Sequence, residues 1–404
     1  MKSAALEGLK VFDLSWVIAG PLLTKILADY GATVVRLESS KKPDIERTSP
    51  PFKDGIPGIN RSGYYANWNT SKLSLSLNIK HPEGRKILEE LIEWADVLVE
   101  NFTPGVMENM GLGYDEVTEI NPSIIMLSIS SNGQTGPFAK VPGLGLHTAS
   151  ISGLVHLTGW PDAEHPQRIG PYCDLVTPYF GVAALLAAIG HRRRTGKGQY
   201  IDLSQYESGL QFLIDPLLDF QLNDNLGGRK GNRSACAAPH GVYRCKGSDR
   251  WCAITVFNEQ EWEAFCKATS GTDWYKDARF SSLANRKQNE GELDKLVDGW
   301  TVNHNAEEVF GIMHEAGVPC GIVQNSADLV NDPQLKYRDL LWVQDHKEIG
   351  KFHSLGEVAI LSKTPARQYM PAPLLGEHTE QICHDILHMS DEKFIELLDE
   401  GVFE

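Results

Sequence analysis

Residues 9 to 130 alternate short apolar runs with amphipathic stretches, and that alternation limits the chain to few architectures. LKVFDLS (9–15) reads as a buried strand, LLTKILADYGA (22–32) as a helix closed by Gly31, and TVVRLES (33–39) as the next strand. The pattern resumes with the strand LSLSLNI (73–79), a helix opened by Pro82 in HPEGRKILEELIEWA, and the strand DVLVENF (96–102). A short helix near 114–121 leads into SIIMLSIS (123–130). Strand–helix–strand repetition of this kind specifies a parallel sheet covered by helices, with ligands expected where strands end near a reversal of strand order. The dinucleotide fingerprint is missing: GLGLHTASISG (143–153) and GLGYDE (111–116) both lack the third glycine in register. The expected fold is therefore α/β, a large doubly wound, Rossmann-like domain without an NAD site.

The remainder divides the chain. A helix is expected over about 178–193, ending in HRRRTGKGQ, where Arg192, Arg193 and Arg194 read as cations on a negative helix end rather than as a phosphate cradle. The strand QYIDLS (199–204) and an apolar helix over 205–222 follow. NDNLGGRKGNRSA (223–235) is polar and glycine-rich and reads as a linker. Beyond it come a hairpin turning through Gly247 to Asp249 and helices over 258–269, 286–302 and 305–316. The division is then a large domain of 1–222 and 330–404, a smaller α+β domain of 236–320, and a return linker at 321–329.

Composition excludes several functions. With 38 Lys and Arg against 53 Asp and Glu, the net charge of −15 offers no broad attraction to nucleic acid or an anionic membrane, so any bound phosphate needs a local site. The N-terminus has no apolar stretch of signal-peptide length, and a cytoplasmic address is expected. The seven cysteines form no CxxC pair and read as reduced core thiols. His384 and His388 lie four apart, but no glutamate of an HExxH motif lies between them and no third ligand is evident. Ser15, Ser150 and Ser152 stand outside any G-x-S-x-G elbow. Cys173 would have its thiol pKa raised by the adjacent Asp174, which favours core packing for it. Asp174 itself, in RIGPYCDLVTPYFGVAALLAA, is placed where a helix N-terminus keeps a carboxylate ionised; local sequence alone favours a simple capping role.

A set of ordered passages changes that reading. LEGLKVFDLSWVIAGPLLTKILADYGATVVRLE, NIKHPEGRKILEELIEWADVLVENFTPGVMENMGLGY, IGPYCD, RRRTGKGQYIDLS, AGVPCGIV and APLLGEHT follow one another as in the class III CoA-transferases, and the chain resembles that family over essentially its whole length. The resemblance implies Asp174 as covalent nucleophile, with coenzyme A and acyl-CoA as substrates and no prosthetic group. It places CoA contacts at Ile18 and Ala19, at Leu77, Asn78, Ile79 and Lys80, and at Asn101, Phe102 and Thr103. Backbone beside Gly20 is expected to approach the ligand, Lys80 to pair with a CoA phosphate, and Lys72 to be a second basic candidate. Asn109 and Ser39 stand where many relatives carry arginine, so phosphate contacts would come from Arg36, Lys140 or a partner chain. Gly145 replaces an acidic residue of the family pattern. The alternatives are an α-methylacyl-CoA racemase, whose G-H-D string maps to Leu144 and Gly145 and whose histidine would have to be His147 or His156, and a non-catalytic CoA-binding subunit. The resemblance leans toward members using succinyl-CoA and aromatic succinates, and implies an interlocked dimer, either a homodimer or a heteromer with a related subunit.

Overall fold

The computed structural model describes residues 4–269 and 272–404, which divide into two compact units, one of residues 4–155, 168–225 and 334–404 and one of 156–167 and 226–333. The first is built on a six-stranded, all-parallel sheet. Its strands are β1 (Lys10–Asp13), β2 (Thr33–Glu38), β3 (Leu73–Ser76), β4 (Val97–Glu100), β5 (Ile125–Ser130) and β6 (Gln199–Ser204), in the spatial order β3-β2-β1-β4-β5-β6. The order reverses between β1 and β4, whose neighbouring C-terminal ends open a crevice.

Period-two alternation sends successive strand residues to opposite faces, and here both faces are buried. Val11, Val34, Val97, Val99, Ile125 and Leu127 pack with Leu23 and Leu27 of the helix Ala19–Asp29 and with Leu185 and Ile189 of the helix Tyr172–Thr195. Phe12, Val35, Leu98 and Met126 pack the other way, against Ile87, Leu88 and Leu91 of the helix Pro82–Trp94 and Leu397 of the helix Asp391–Asp399. Double-sided burial is why these strands read as continuous apolar runs. The 24-residue helix Tyr172–Thr195 is apolar and long enough to cross a bilayer, yet one side of it lies in this core.

Two expected boundaries move. The helix expected from about 178 begins at Tyr172 and contains Pro178, which lacks the N–H that would meet the carbonyl of residue 174. Asp174 therefore sits inside the first turn rather than ahead of the helix. The helix expected over 205–222 is broken into Gln205–Leu210, a 3₁₀ turn Gln211–Leu213 and Ile214–Asn223, because Pro216 cannot bond back to the carbonyl of residue 212.

The second unit has a three-stranded antiparallel sheet, β7 (His240–Arg244), β8 (Trp251–Thr255) and β9 (Cys320–Ile322), under the helices Glu259–Ala268, Glu290–Thr301 and Ala306–Glu315. Its core gathers Trp262, Phe265, Phe280, Val297 and Met313. Arg286 is buried there, donating to the Ala238 carbonyl at 3.0 Å and to the Glu259 carboxylate at 2.8 Å and 3.0 Å. The expected linker 223–235 belongs largely to this unit: Gly231 N–H meets Gly159 O at 2.9 Å, and the Arg229 guanidinium donates to the carbonyls of Trp160 and Ala163. These bonds also bring residues 156–167 into it, and the unit runs on through 333, past the expected return linker. Within the first unit, β10 (Leu341–His346) and β11 (Gly350–Leu355) form a hairpin whose Phe352 packs with Tyr65 of the helix Gly63–Trp68.

Candidate active site

The crevice between β1 and β4 is shaped by a turn under restraint. After β1 the chain passes Ser15 and Trp16 and enters the helix Ala19–Asp29 through Val17, whose φ of 66° is an outlier for a β-branched residue. Two neighbours hold it there. The Asp44 carboxylate accepts the Val17 N–H at 3.0 Å, and the Asn101 carboxamide both accepts from Trp16 N–H and donates to Trp16 O, each at 2.7 Å. Asn101 follows β4 directly, so one side chain ties the loops of the two central strands together. Gly20 serves this packing rather than a ligand: a Cβ there would lie 2.1 Å from the Ser15 Cβ.

The cleft that results is lined by Val17, Ile18 and Ala19 from the first loop, by Asn101, Phe102 and Thr103 from the second, and by Gly145, Asp174 and Gln205. Asp174 Oδ1 accepts from Gln205 Nε2 at 2.7 Å, the only hydrogen bond to this carboxylate among the described residues. Burial pushes the Asp174 pKa up to about 6, against the Gln205 donor that lowers it. The helix N-terminus does not keep it low. Gly145 lies close by: a Cβ added to it would stand 2.3 Å from Asp174 Oδ2 and 2.6 Å from Pro171 Cβ. The family acid expected at that position has no room beside this aspartate.

A second, apolar cleft adjoins through Phe102 and is lined by Leu14, Trp16, Leu37, Leu77 and Ile79. Asn78 turns the chain here, its N–H bonded to Val402 O at 2.8 Å and its side chain accepting from the N–H of the exposed Lys80 at 3.2 Å. Ile18, Ala19, Asn101, Phe102 and Thr103 thus meet Asp174 around one cleft, and Leu77 and Ile79 line its neighbour.

Other expected cations lie elsewhere. Lys72 is fully buried, its ammonium held by Pro21 O and Asn69 Oδ1 at 2.9 Å and by Asp13 Oδ2 at 3.2 Å, with burial pulling its pKa down to about 8 against the Asp13 charge. Arg36 is equally buried, paired with Asp44 at 2.5 Å and Asp13 at 3.5 Å. Neither can reach a phosphate in solvent. Lys140 is exposed, between the cleft-lining Ala139 and Val141. Ser39 is engaged with Glu404 at 2.5 Å.

Other candidate nucleophiles are buried or hydrogen-bonded elsewhere. Burial raises the Cys173 thiol pKa. Ser15 Oγ is committed to Asp13, Ser150 Oγ to Leu146 O and Ser152 Oγ to Ala149 O. His147 accepts the Leu144 N–H at the start of its own helix through Nδ1. Sequence reasoning missed Gln205, Val17 and Asp44. Gln205 carried a usable signal, since it follows β6 directly and strand ends are where such sheets bind ligands.

CoA-transferase family III matches residues 6–379, nearly the whole chain. The chain belongs to that family. It is 32% identical over 399 residues to the Homo sapiens succinyl-CoA:glutarate CoA-transferase, with 98% of this chain and 89% of the relative covered. It is 30% identical over 399 residues to the succinyl-CoA–L-malate CoA-transferase beta subunit of Chloroflexus aurantiacus, with 97% and 96% covered. The crystal structure of a CAIB/BAIF family protein from Brucella suis superposes with a TM-score of 0.88 at 29% identity, covering 95% of this chain and 100% of that one. The protein is accordingly a CoA-transferase, acting on acyl-CoA and carboxylate substrates.

Proposed function

We propose that the enzyme moves CoA from a succinyl-CoA-like donor to an acceptor carboxylic acid through covalent intermediates on Asp174. The observation that carries this is a carboxylate, ionised above about pH 6, with one hydrogen bond, set in the cleft where strand order reverses. Attack of Asp174 on the donor carbonyl gives a mixed anhydride and CoA thiolate, which returns to the aspartyl carbonyl and releases the donor acid. The acceptor carboxylate then attacks the aspartyl-CoA thioester, breaking its C–S bond, expelling CoA thiolate again and forming a second anhydride. Thiolate attack on its acyl carbon yields the new acyl-CoA and restores Asp174. The first-turn N–H groups at Ile18 and Ala19 have no intrahelical acceptor and border the cleft, which suits them to a substrate oxyanion.

The adjoining apolar cleft of Leu77, Ile79 and Phe102 suits the adenine ring, and Lys80 a CoA phosphate. Relatives named for succinyl-CoA with glutarate or L-malate support a succinyl donor and favour short dicarboxylic acceptors over aromatic succinates. Exposed Phe212, Leu218, Phe220 and Leu222, with Tyr179 and Phe180, support burial of this surface in an interlocked dimer, and the beta-subunit relative keeps a heteromer open. Mass spectrometry of CoA exchange across a panel of acyl-CoAs and acids tests the activity. Asp174→Asn is expected to abolish exchange while acyl-CoA still binds; near-normal turnover would overturn the assignment. A stable folded monomer in sedimentation would overturn the dimer.

A further inference from the structure

The two oxygens of Asp174 have different surroundings. Oδ1 is held by Gln205 Nε2 at 2.7 Å, whereas Oδ2 is the oxygen that the missing side chain of Gly145 leaves uncrowded. Gln205 is well placed to hold its position. It is only 9% exposed and is the first residue of the helix Gln205–Leu210, whose cap Ser204 accepts the Glu207 N–H and whose Ser208 hydroxyl bonds back to Ser204 O at 2.8 Å.

Resting on the aspartyl reading above, we propose that Gln205 is a second catalytic residue, whose amide stabilises the oxyanion that forms on Asp174 itself. In the first step an Oδ2 electron pair bonds the acyl carbon, the C–S bond breaks and CoA leaves as thiolate. In the second step the thiolate sulfur bonds Asp174 Cγ and the carbonyl pair moves onto Oδ1. Collapse restores that carbonyl and breaks Cγ–Oδ2, so the donor acid departs as a carboxylate carrying that oxygen. No proton is consumed. Acceptor attack on the aspartyl-CoA thioester passes through a second tetrahedral centre at the same Cγ. The Oδ1 oxygen bears charge in both, and a donor already fixed 2.7 Å from it needs no reorganisation as that charge localises. When charge develops on the substrate acyl oxygen instead, Gln205 is bonded elsewhere.

The consequence is selective. Without the amide donor the anhydride should still form, but its conversion to aspartyl-CoA should slow and water should compete for it. The test uses the full chain with Gln205→Met and Gln205→Leu, which remove the donor at similar bulk, incubated with succinyl-CoA without acceptor and read by peptide mass spectrometry. The wild type is expected to accumulate a CoA adduct on Asp174. In both variants adduct formation should fall by about 100-fold; in a parallel assay with an acceptor acid, hydrolysis relative to transfer should rise by about tenfold or more and the acyl-CoA KM should stay within about threefold. Adduct formation at the wild-type rate, or equal losses of transfer and hydrolysis with a raised KM, would overturn the proposal while leaving Asp174 as nucleophile. No adduct on Asp174 in a wild type that transfers CoA would instead overturn the aspartyl reading itself. Should neither variant fold, the aspartyl-CoA carbonyl stretch of the wild type decides: a band shifted down from that of the unfolded adduct supports the hydrogen bond, and an unshifted band overturns it.

Discussion

Two aspartates in the same unit show how surroundings divide structure from chemistry. Asp13, at the end of β1, is fully buried, yet against that burial Lys72 and Arg36, with hydroxyl donors from Ser15 and Thr24, hold its pKa below the ordinary carboxylate range. Asp174, partly buried in the cleft, has one amide donor and, among the described residues, no cation beside it, and its pKa rises to about 6. Fully paired lone pairs make a structural anchor, whereas a carboxylate that is desolvated and thinly hydrogen-bonded keeps its basicity for nucleophilic use. The anchor in turn serves the cleft. Arg36, ion-paired with Asp13 at 3.5 Å and hydrogen-bonded to Asp44, steadies the carboxylate that accepts the Val17 N–H.

The sharpest way to break the comparison is to crowd the sparsely held aspartate. In Gly145→Ala the new methyl must displace the Asp174 carboxylate as well as shift against Pro171, since both lie inside 3 Å of it. A misplacement near 1 Å is expected to cost about 100-fold in kcat, as measured by steady-state transfer. Unchanged kcat would show that the carboxylate has room to move. The anchor should respond in the opposite way. Lys72→Met leaves Asp13 buried with one cation fewer and is expected to lose about 3 kcal/mol of stability in denaturant unfolding, while the acyl-CoA KM of the folded fraction is retained. A raised KM with intact stability would return Lys72 to the role of phosphate contact.

That contrast also marks what the sequence could disclose. The alternation of strands and helices was legible because double-sided burial writes itself into runs such as VLV and IMLSI, and Asp174 was reachable through ordered passages of family resemblance. The fate of the cations was not. Lys72, Arg36 and Lys80 are equally basic in sequence, and only the folded sheet decides that the first two face Asp13 inside while the third faces solvent. Gln205 escaped notice because its partner is 31 residues away in the chain. Gly145 looked like a lost acid, whereas a side chain there would crowd the Asp174 carboxylate and Pro171 and force both to shift.

Titration should sharpen the pair further. On the proposed aspartyl mechanism the carboxylate of Asp174 is the attacking form, so kcat/KM for the donor is expected to fall as pH drops through about 6, as a single-proton limb in a pH–rate profile. The linked effect on stability has a definite sign. A carboxyl whose folded pKa lies above its ordinary value near 3.8 favours the fold at low pH, and that contribution is lost as pH rises through about 6. Asp174→Asn mimics the protonated state, so its Tm advantage over the wild type should be small at pH 4 and amount to a few degrees, from at most about 3 kcal/mol, at pH 7.5. A lower Tm for the Asn variant at pH 7.5 would mean that the carboxylate stabilises the fold and belongs with Asp13.

The smallest effect is expected at Lys80, which tests the comparison from the side of the lysines. Lys72 is enclosed by Asp13, Asn69 and Pro21, whereas Lys80 is exposed beside the turn at Asn78 that borders the apolar cleft. An ion pair between an exposed ammonium and a phosphate contributes about 1 kcal/mol or less, so Lys80→Ala should raise the acyl-CoA KM by about fivefold at most and leave kcat alone. Two controls separate this from a general loss of positive charge. The KM ratio of variant to wild type should shrink toward one as salt is raised, because an exposed pair is screened within a Debye length of about 10 Å at 0.1 M. Lys140→Ala removes a cation from the loop between Ala139 and Val141 and should act independently. If Lys80 meets the ribose phosphate, the Lys80→Ala penalty disappears with a 3′-dephospho-CoA thioester. A penalty that persists with that substrate would move the contact to the pyrophosphate, and the absence of any penalty would leave Lys140 or a partner chain to supply the charge.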